Sequence, residues 1–282
     1  MILFKLKSDL INYLSQFQKE GKKIGFVPTM GALHQGHISL IKTSKLKTDI
    51  TVCSIFVNPT QFNDINDLAK YPRTLDKDIV LLEEVFCDVL FQPEIDEMYP
   101  AEDKREFNFG FLGNTLDGLH RPGHFNGVAQ IVSKLFDAVN PDIAFFGQKD
   151  FQQVLIVKEL VKQLKLRVHI ESCPISREED GLAMSSRNQL LSVDERKAAT
   201  TIPQLLNLAV SKFKIGDKIE DIKAVIIEET KKENLFRIDY FEARNSTNLH
   251  ELSGEENEVV FLIALFCGKI RLIDNVIALR EN

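Results

Sequence analysis

No uninterrupted apolar stretch in this chain is longer than the nine residues from Val259 to Cys267, whereas a membrane-spanning helix needs about 20. The amino-terminal run MILFKLKSDL is broken by Lys5, Lys7 and Asp9, so it lacks the apolar core of a secretory signal. Cys53, Cys87, Cys173 and Cys267 form no C-x-x-C pair. A disulfide framework or cysteine zinc site is therefore not expected; four buried thiols in a reducing, cytoplasmic setting are. Positive charge is short as well: 35 Lys and Arg face 41 Asp and Glu, a net charge of −6. That balance argues against nucleic-acid binding through phosphate neutralisation. Small anionic ligands remain open to the chain, because they need only a local cationic pocket. Internal repeats and low-complexity segments are absent.

The composition is that of a globular protein, with 44% hydrophobic and 27% charged residues. At roughly 150 residues per domain, the length suits two domains. Strands are expected at Ile24–Val27, Ile50–Val57, Val89–Phe91, Ile143–Phe146 and Val168–Ser172. Several are apolar on successive residues, as in a parallel sheet covered on both faces. Helices are expected between them at Ser39–Leu46, Leu75–Phe86, Val128–Val139 and Phe151–Leu164. This alternation predicts an α/β domain with a Rossmann-like doubly wound parallel sheet, binding ligands beyond the carboxyl ends of its strands. The pattern changes within Pro174–Asn188. Beyond it, a Ser192/Glu195 capping box opens one helix over Val193–Phe213, and a second covers Ile219–Lys232. Strands at Arg237–Ala243, Glu258–Phe266 and Ile270–Leu279 complete a smaller C-terminal α+β domain, the last two joined as a hairpin. The domains are accordingly residues 1–175 and 176–282.

Three segments carry chemistry. In Pro28-Thr29-Met30-Gly31-Ala32-Leu33-His34-Gln35-Gly36-His37, between strand and helix, one helical turn puts His34 and His37 on the same side. Free N–H groups and the helix dipole attract anions there and keep an empty imidazole neutral. Gly31 and Gly36 let backbone approach a ligand. In Gly147-Gln148-Lys149-Asp150, a lysine meets the positive end of a helix, an unfavourable placement that a bound anion reverses. Asp150 and Gln153 either form a capping box or face substrate. In Met184-Ser185-Ser186-Arg187, hydroxyls, amides and a guanidinium suit a polyphosphate, and the interdomain position suits a lid. Further candidates are the amides of Asn58 and Gln61, the anion contacts Arg121 and His124, and the carboxylates Asp76 and Asp78. Asn58 reads either as a substrate contact or as an Asn-Pro turn. The two carboxylates either hold Mg²⁺ through water or favour a helix start.

Taken together, PTMGALHQGH, FVNPTQF, YPRT, RPGHFNGVAQIV, FFGQKDFQQ and MSSRN, in this order, closely resemble the pantoate–β-alanine ligases (pantothenate synthetases) of the nucleotidylyltransferase superfamily. The resemblance covers most of the first 190 residues. It implies condensation of (R)-pantoate with β-alanine through pantoyl adenylate, giving pantothenate, AMP and diphosphate from ATP, with Mg²⁺ present. It implies a homodimer working on small molecules, without nucleic acid or membrane, whose first domain binds ATP and pantoate and whose second acts as the lid. Carried onto this sequence, Met30 to His37, Gly147 to Asp150, Ser176 and Met184 to Arg187 contact ATP. His37 is the proton donor, with His34, Lys149 and Arg187 beside it in catalysis. Gln61 contacts pantoate and β-alanine, and Gln153 contacts pantoate. The family usually has an apolar residue where Ser176 stands, a difference that a backbone contact survives, and Lys77 interrupts the family's acidic stretch at Asp76 and Asp78. The alternative is a nucleotidyltransferase that moves AMP or CMP onto a phosphorylated acceptor.

Overall fold

The computed structural model describes residues 1–63, 65–254 and 256–280. In chain order its elements are β1 (Ile2–Phe4), α1 (Lys7–Lys19), β2 (Ile24–Thr29), α2 (Gln35–Lys47), β3 (Ile50–Ile55), α3 (Ile65–Lys70), α4 (Leu75–Glu84), β4 (Val89–Phe91), α5 (Ile95–Met98), α6 (Asp117–His120), α7 (His124–Val139), β5 (Ile143–Gly147), α8 (Phe151–Gln163), β6 (His169–Cys173), α9 (Val193–Ala199), α10 (Thr201–Lys214), α11 (Ile219–Lys231), β7 (Phe236–Asn245), β8 (Glu258–Cys267) and β9 (Ile270–Leu279). Backbone packing divides the chain into two units. One holds Met1–Gln148 with Gln153–Pro174, and the other Lys149–Gln152 with Ile175–Asn282.

The first unit is a parallel sheet in the order β1-β4-β3-β2-β5-β6. Alternate side chains along its strands feed two cores. Phe26, Val52, Phe91, Ala144 and Phe146 pack with Leu10 and Leu14 of α1 and with the apolar faces of α7 and α8. Val27, Cys53, Ile55, Leu90 and Phe145 pack on the other face with Ile41 of α2 and Leu82 of α4. One irregularity places the ligand crevice. The β2–β5 ladder ends at Phe26 and Ala144, yet β2 stays paired with β3 to Thr29 and β5 with β6 to Gly147. β2 and β5 therefore part over their last three residues. This is the switch point, where connections leave the sheet in opposite directions and a crevice opens.

The second unit packs α10 and α11 against the antiparallel sheet β7-β8-β9 through Leu206, Phe213, Ile222, Ile226, Phe261 and Ile263. The single helix expected over 193–213 is two, α9 and α10, joined at Thr200. Pro203 supplies the reason: it lacks the N–H that would bond to Ala199, and its ring crowds that carbonyl. The Ser192/Glu195 capping box is formed, and Gly268-Lys269 turns the β8–β9 hairpin. Ahead of the first expected strand lie β1 and α1. The strand is three residues long and the helix buries only Leu10 and Leu14, too little periodicity to stand out.

All four cysteines are buried and unpaired. Burial pushes the Cys87 thiol up to about 12 and that of Cys267 to about 11, which leaves them unreactive. No described helix is long and apolar enough to cross a membrane.

Thr29, at the end of β2, joins the sheet to the loop beyond. Its Oγ1 donates to the Ser54 carbonyl at 2.7 Å and accepts from the Gly31 N–H at 3.2 Å. Thr29→Val keeps the shape and removes both bonds. It is expected to cost about 1–3 kcal/mol, read as a lower denaturation midpoint with an unchanged slope.

Candidate active site

The loop leaving β2 turns through two successive left-handed residues, Gly31 (φ 79°) and Ala32 (φ 50°). Such a conformation costs an alanine roughly 1–3 kcal/mol unless its surroundings over-determine it. Asp78, on the first turn of α4 and 1% exposed, does so. Its Oδ2 accepts the Ala32 N–H at 2.9 Å, and its Oδ1 accepts the Leu33 N–H at 2.8 Å and the Thr74 hydroxyl at 3.1 Å. The expectation of Asp78 as a metal contact is thereby corrected: its carboxylate is taken up by the loop backbone. Asp76 is exposed. Among the described residues no group of three or more His, Cys, Asp or Glu is placed to hold a metal ion.

After the loop, α2 opens with a cap made of two imidazoles. His34 is the N-cap, and its Nδ1 accepts the Gly36 N–H at 3.1 Å. His37 Nδ1 reaches back to the His34 N–H at 3.3 Å. The rings lie 4.1 Å apart between centroids. An Nδ1 that accepts carries no proton, so each neutral ring bears its hydrogen on Nε2. Protonating Nδ1 would set one N–H against another. The helix end thus fixes the tautomer of both neutral rings, with Nε2–H as the donor. Gln35 is exposed at the first helical position, Gly36 half-buried at the second, and Met30 half-buried ahead of the turn.

At the end of β5, Gly147 and Gln148 belong to the first unit, as does Gln153 in the first turn of α8. Gln153 is half-buried and makes no side-chain hydrogen bond among the described residues. Lys149 and Asp150 pack with the second unit, where Asn275 Nδ2 donates to the Lys149 carbonyl at 3.0 Å. Lys149 is half-buried and Asp150 exposed, and neither makes an ion pair among the described residues. The capping box expected as the alternative for Asp150 and Gln153 is not formed.

Also in the second unit, the Ser176 carbonyl accepts the Met184 N–H at 2.9 Å, and Arg177 bridges to Ala183. Ser185 Oγ caps the following 3₁₀ turn by accepting the Arg187 N–H at 3.3 Å. Ser186 is buried and Arg187 half-buried. The segment is tied to β9 by Arg177, which grips the buried Asp274 carboxylate at 2.7 and 3.0 Å. Asp274 and Asn275 thus support the segments that carry Arg187 and Lys149. Sequence reasoning missed both, although two adjacent polar residues inside the otherwise apolar strand LIDNVIAL are a signal of buried polar anchoring.

The remaining candidates gather in the first unit. Asn58 is 1% exposed and has every position of its amide bonded inside the protein, so it supports its neighbours and does not read substrate. His124 is buried, with Nδ1–H donating to the Gln61 carbonyl at 2.8 Å and Nε2 accepting from Arg121 at 3.0 Å. Both ring nitrogens are used, which corrects the expectation of an anion contact at His124. Arg121 donates to that imidazole. What these groups hold in place is Gln61, half-buried, with its Nε2 resting on Met30 Sδ at 3.1 Å.

Comparison with known proteins settles the family. The model described as "Pantoate-beta-alanine ligase" matches residues 3–277. The chain belongs to this family. The pantothenate synthetase of Bacteroides thetaiotaomicron is 50% identical over 95% of both chains, and that of Caldicellulosiruptor bescii 46% identical over 98% of this chain and 99% of its own. Among solved structures, the pantothenate synthetase of Thermus thermophilus aligns over 98% of this chain and 99% of its own, with a TM-score of 0.93 and 37% identity. The pantoate–β-alanine ligase of Francisella tularensis, solved with β-γ ATP and β-alanine, covers 98% of this chain and 97% of its own, with a TM-score of 0.82 and 36% identity. The ligase family match spans both units and every motif described above.

Asp78→Asn tests the carboxylate clamp on the loop of this ligase. An amide offers one acceptor oxygen where the loop needs two, so a buried N–H loses its partner at about 1–3 kcal/mol. The expected result is a lower unfolding midpoint together with a raised KM for the nucleotide.

Proposed function

We propose that the chain condenses (R)-pantoate with β-alanine in an ATP-dependent reaction that passes through pantoyl adenylate. The observation that carries this reading is the imidazole cap of α2, which holds two neutral Nε2–H donors at a helix N-terminus beside a switch point. A carboxylate is a poor acyl donor to an amine in water, so it is first converted to a mixed anhydride. The pantoate carboxylate oxygen bonds to the α-phosphorus of ATP while the bond from that phosphorus to the bridging oxygen breaks, and diphosphate leaves. The neutral amine of β-alanine then bonds to the acyl carbon; AMP leaves with the electrons of the carbon–oxygen bond, and the new amide nitrogen loses its proton.

The work of the first step is positioning and charge stabilisation. His34 and His37 donate Nε2–H hydrogen bonds to phosphate oxygens, and His37 fills the family's proton-donor role as such a hydrogen-bond donor, its proton staying on nitrogen. Lys149 and Arg187 neutralise the charge that grows on diphosphate. Met30–Gly36, Gly147, Gln148, Asp150, Ser176 and Met184–Ser186 hold the nucleotide; Gln61 and Gln153 hold pantoate, and Gln61 also meets β-alanine. Mg²⁺ enters this reading as a partner of the ATP triphosphate, the way the ion is commonly carried into such sites. The same reading carries a homodimer in the cytoplasm, in keeping with four buried thiols.

The chain is expected to exchange diphosphate with ATP when pantoate is present and β-alanine is not. Absence of that exchange in folded, active protein removes the adenylate. His37→Ala should slow the exchange at least roughly a hundred-fold and cost only about 1 kcal/mol of stability, the worth of a helix cap. Equal collapse of fold and activity would assign the histidine to structure alone.

A further inference from the structure

A primary amide can face a ligand with its oxygen or with its nitrogen, and around Gln61 the structure decides which. The decision starts at Gly127. A Cβ at that position would collide with the Thr60 carbonyl and the Gln61 nitrogen, so α7 approaches this segment closer than any side chain would allow. The approach brings the Gly127 carbonyl to 3.1 Å from Asn58 Nδ2. A backbone carbonyl only accepts, so the Asn58 amide must put its nitrogen there. Its second N–H then donates to Gln61 Oε1 at 3.1 Å. Its Oδ1, on the other side, receives the Tyr99 hydroxyl at 2.8 Å and the Thr60 hydroxyl at 3.1 Å. With Oε1 taken, Gln61 keeps its Nε2 hydrogens for a ligand. Their present partner is the Met30 thioether, a weak acceptor that a carboxylate or hydroxyl oxygen readily displaces.

We infer that Tyr99 is a positioning residue which, through Asn58, fixes Gln61 as a hydrogen-bond donor and so selects oxygen acceptors over ammonium groups at that subsite. The inference deepens the proposed ligation and rests on it. The acceptors are the hydroxyl or carboxylate oxygens of the hydroxy acid and the carboxylate of the amino acid; the amine of the latter is kept off Gln61 and stays available for attack. Tyr99 is suited to the role. Its ring packs near Phe56 and beneath the Lys134 ammonium, 5.1 Å from the ring centroid. Burial raises its phenol above the ordinary value, so the O–H remains a donor.

Tyr99→Phe keeps the ring and removes the hydroxyl. In steady-state kinetics of the full chain, the KM for pantoate is expected to rise roughly five-fold, the worth of about one hydrogen bond, with the KM for ATP unchanged and the thermal midpoint lowered by no more than one lost hydrogen bond accounts for. In a Gln61→Ala background the same substitution should leave the KM for pantoate where Gln61→Ala alone put it. The inference is overturned if Tyr99→Phe leaves pantoate kinetics unaltered, or if its effect persists in full without Gln61. It is equally overturned if the KM for ATP rises and the thermal midpoint falls further than that alongside. A wild-type chain with no pantoate-dependent turnover would overturn the ligation itself, and the acceptor selection with it, before any variant is compared.

Discussion

Two backbone N–H groups at the start of α2 are satisfied by imidazole nitrogens, and the chemistry assigned to the site follows from that choice of cap. An aspartate would satisfy the same amides but would present no donor beyond them. An imidazole has two distinct nitrogens. Spending Nδ1 on the helix fixes the tautomer and puts the hydrogen on Nε2, a donor of the kind an anion accepts from. The helix dipole acts in the same sense by disfavouring imidazolium. Folding thus prepares the protonation state that phosphate recognition needs.

The cap is useful only where the loop before it is held, and the fold holds it at unequal points. β2 and β5 separate after Phe26 and Ala144 while each remains paired with its outer neighbour. The loop that emerges is then bent through Ala32 in a left-handed conformation and secured by a buried carboxylate 46 positions further on. In the same unit, Gly127 and His124 of α7 and Asn58 of the loop after β3 hold Gln61 by side chain and backbone. In the second unit, β9 performs a comparable service for the segments bearing Lys149 and Arg187 through Asn275 and Asp274. The histidine loop, Gln61 and the segments bearing Lys149 and Arg187 are thus supported by buried polar residues.

How much of this can be read from sequence depends on how local the information is. The strand–loop–helix around His34 and His37 is legible because glycines, histidines and apolar flanks sit within about ten residues, the scale on which short motifs speak. The parallel sheet is legible because its strands are apolar on both faces. The break at Thr200 was also written, in Pro203, but a continuous helical period masked it. Asp78, Asn58 and His124 read as ligand contacts because a polar residue beside a site looks the same whether it faces inward or outward. Only the long-range partners, the Ala32 and Leu33 amides, the Gly127 carbonyl and the Gln61 carbonyl, reveal them as supports, and no sequence spacing encodes those meetings.

The central physical claim concerns the protons of two histidines, and nitrogen NMR of the ligand-free protein labelled at histidine measures them directly. The account predicts that near neutral pH His34 and His37 are both uncharged and both protonated on Nε2, with Nδ1 showing the shift of an accepting lone pair. A proton on Nδ1 of either ring, or an imidazolium at that pH, would contradict it.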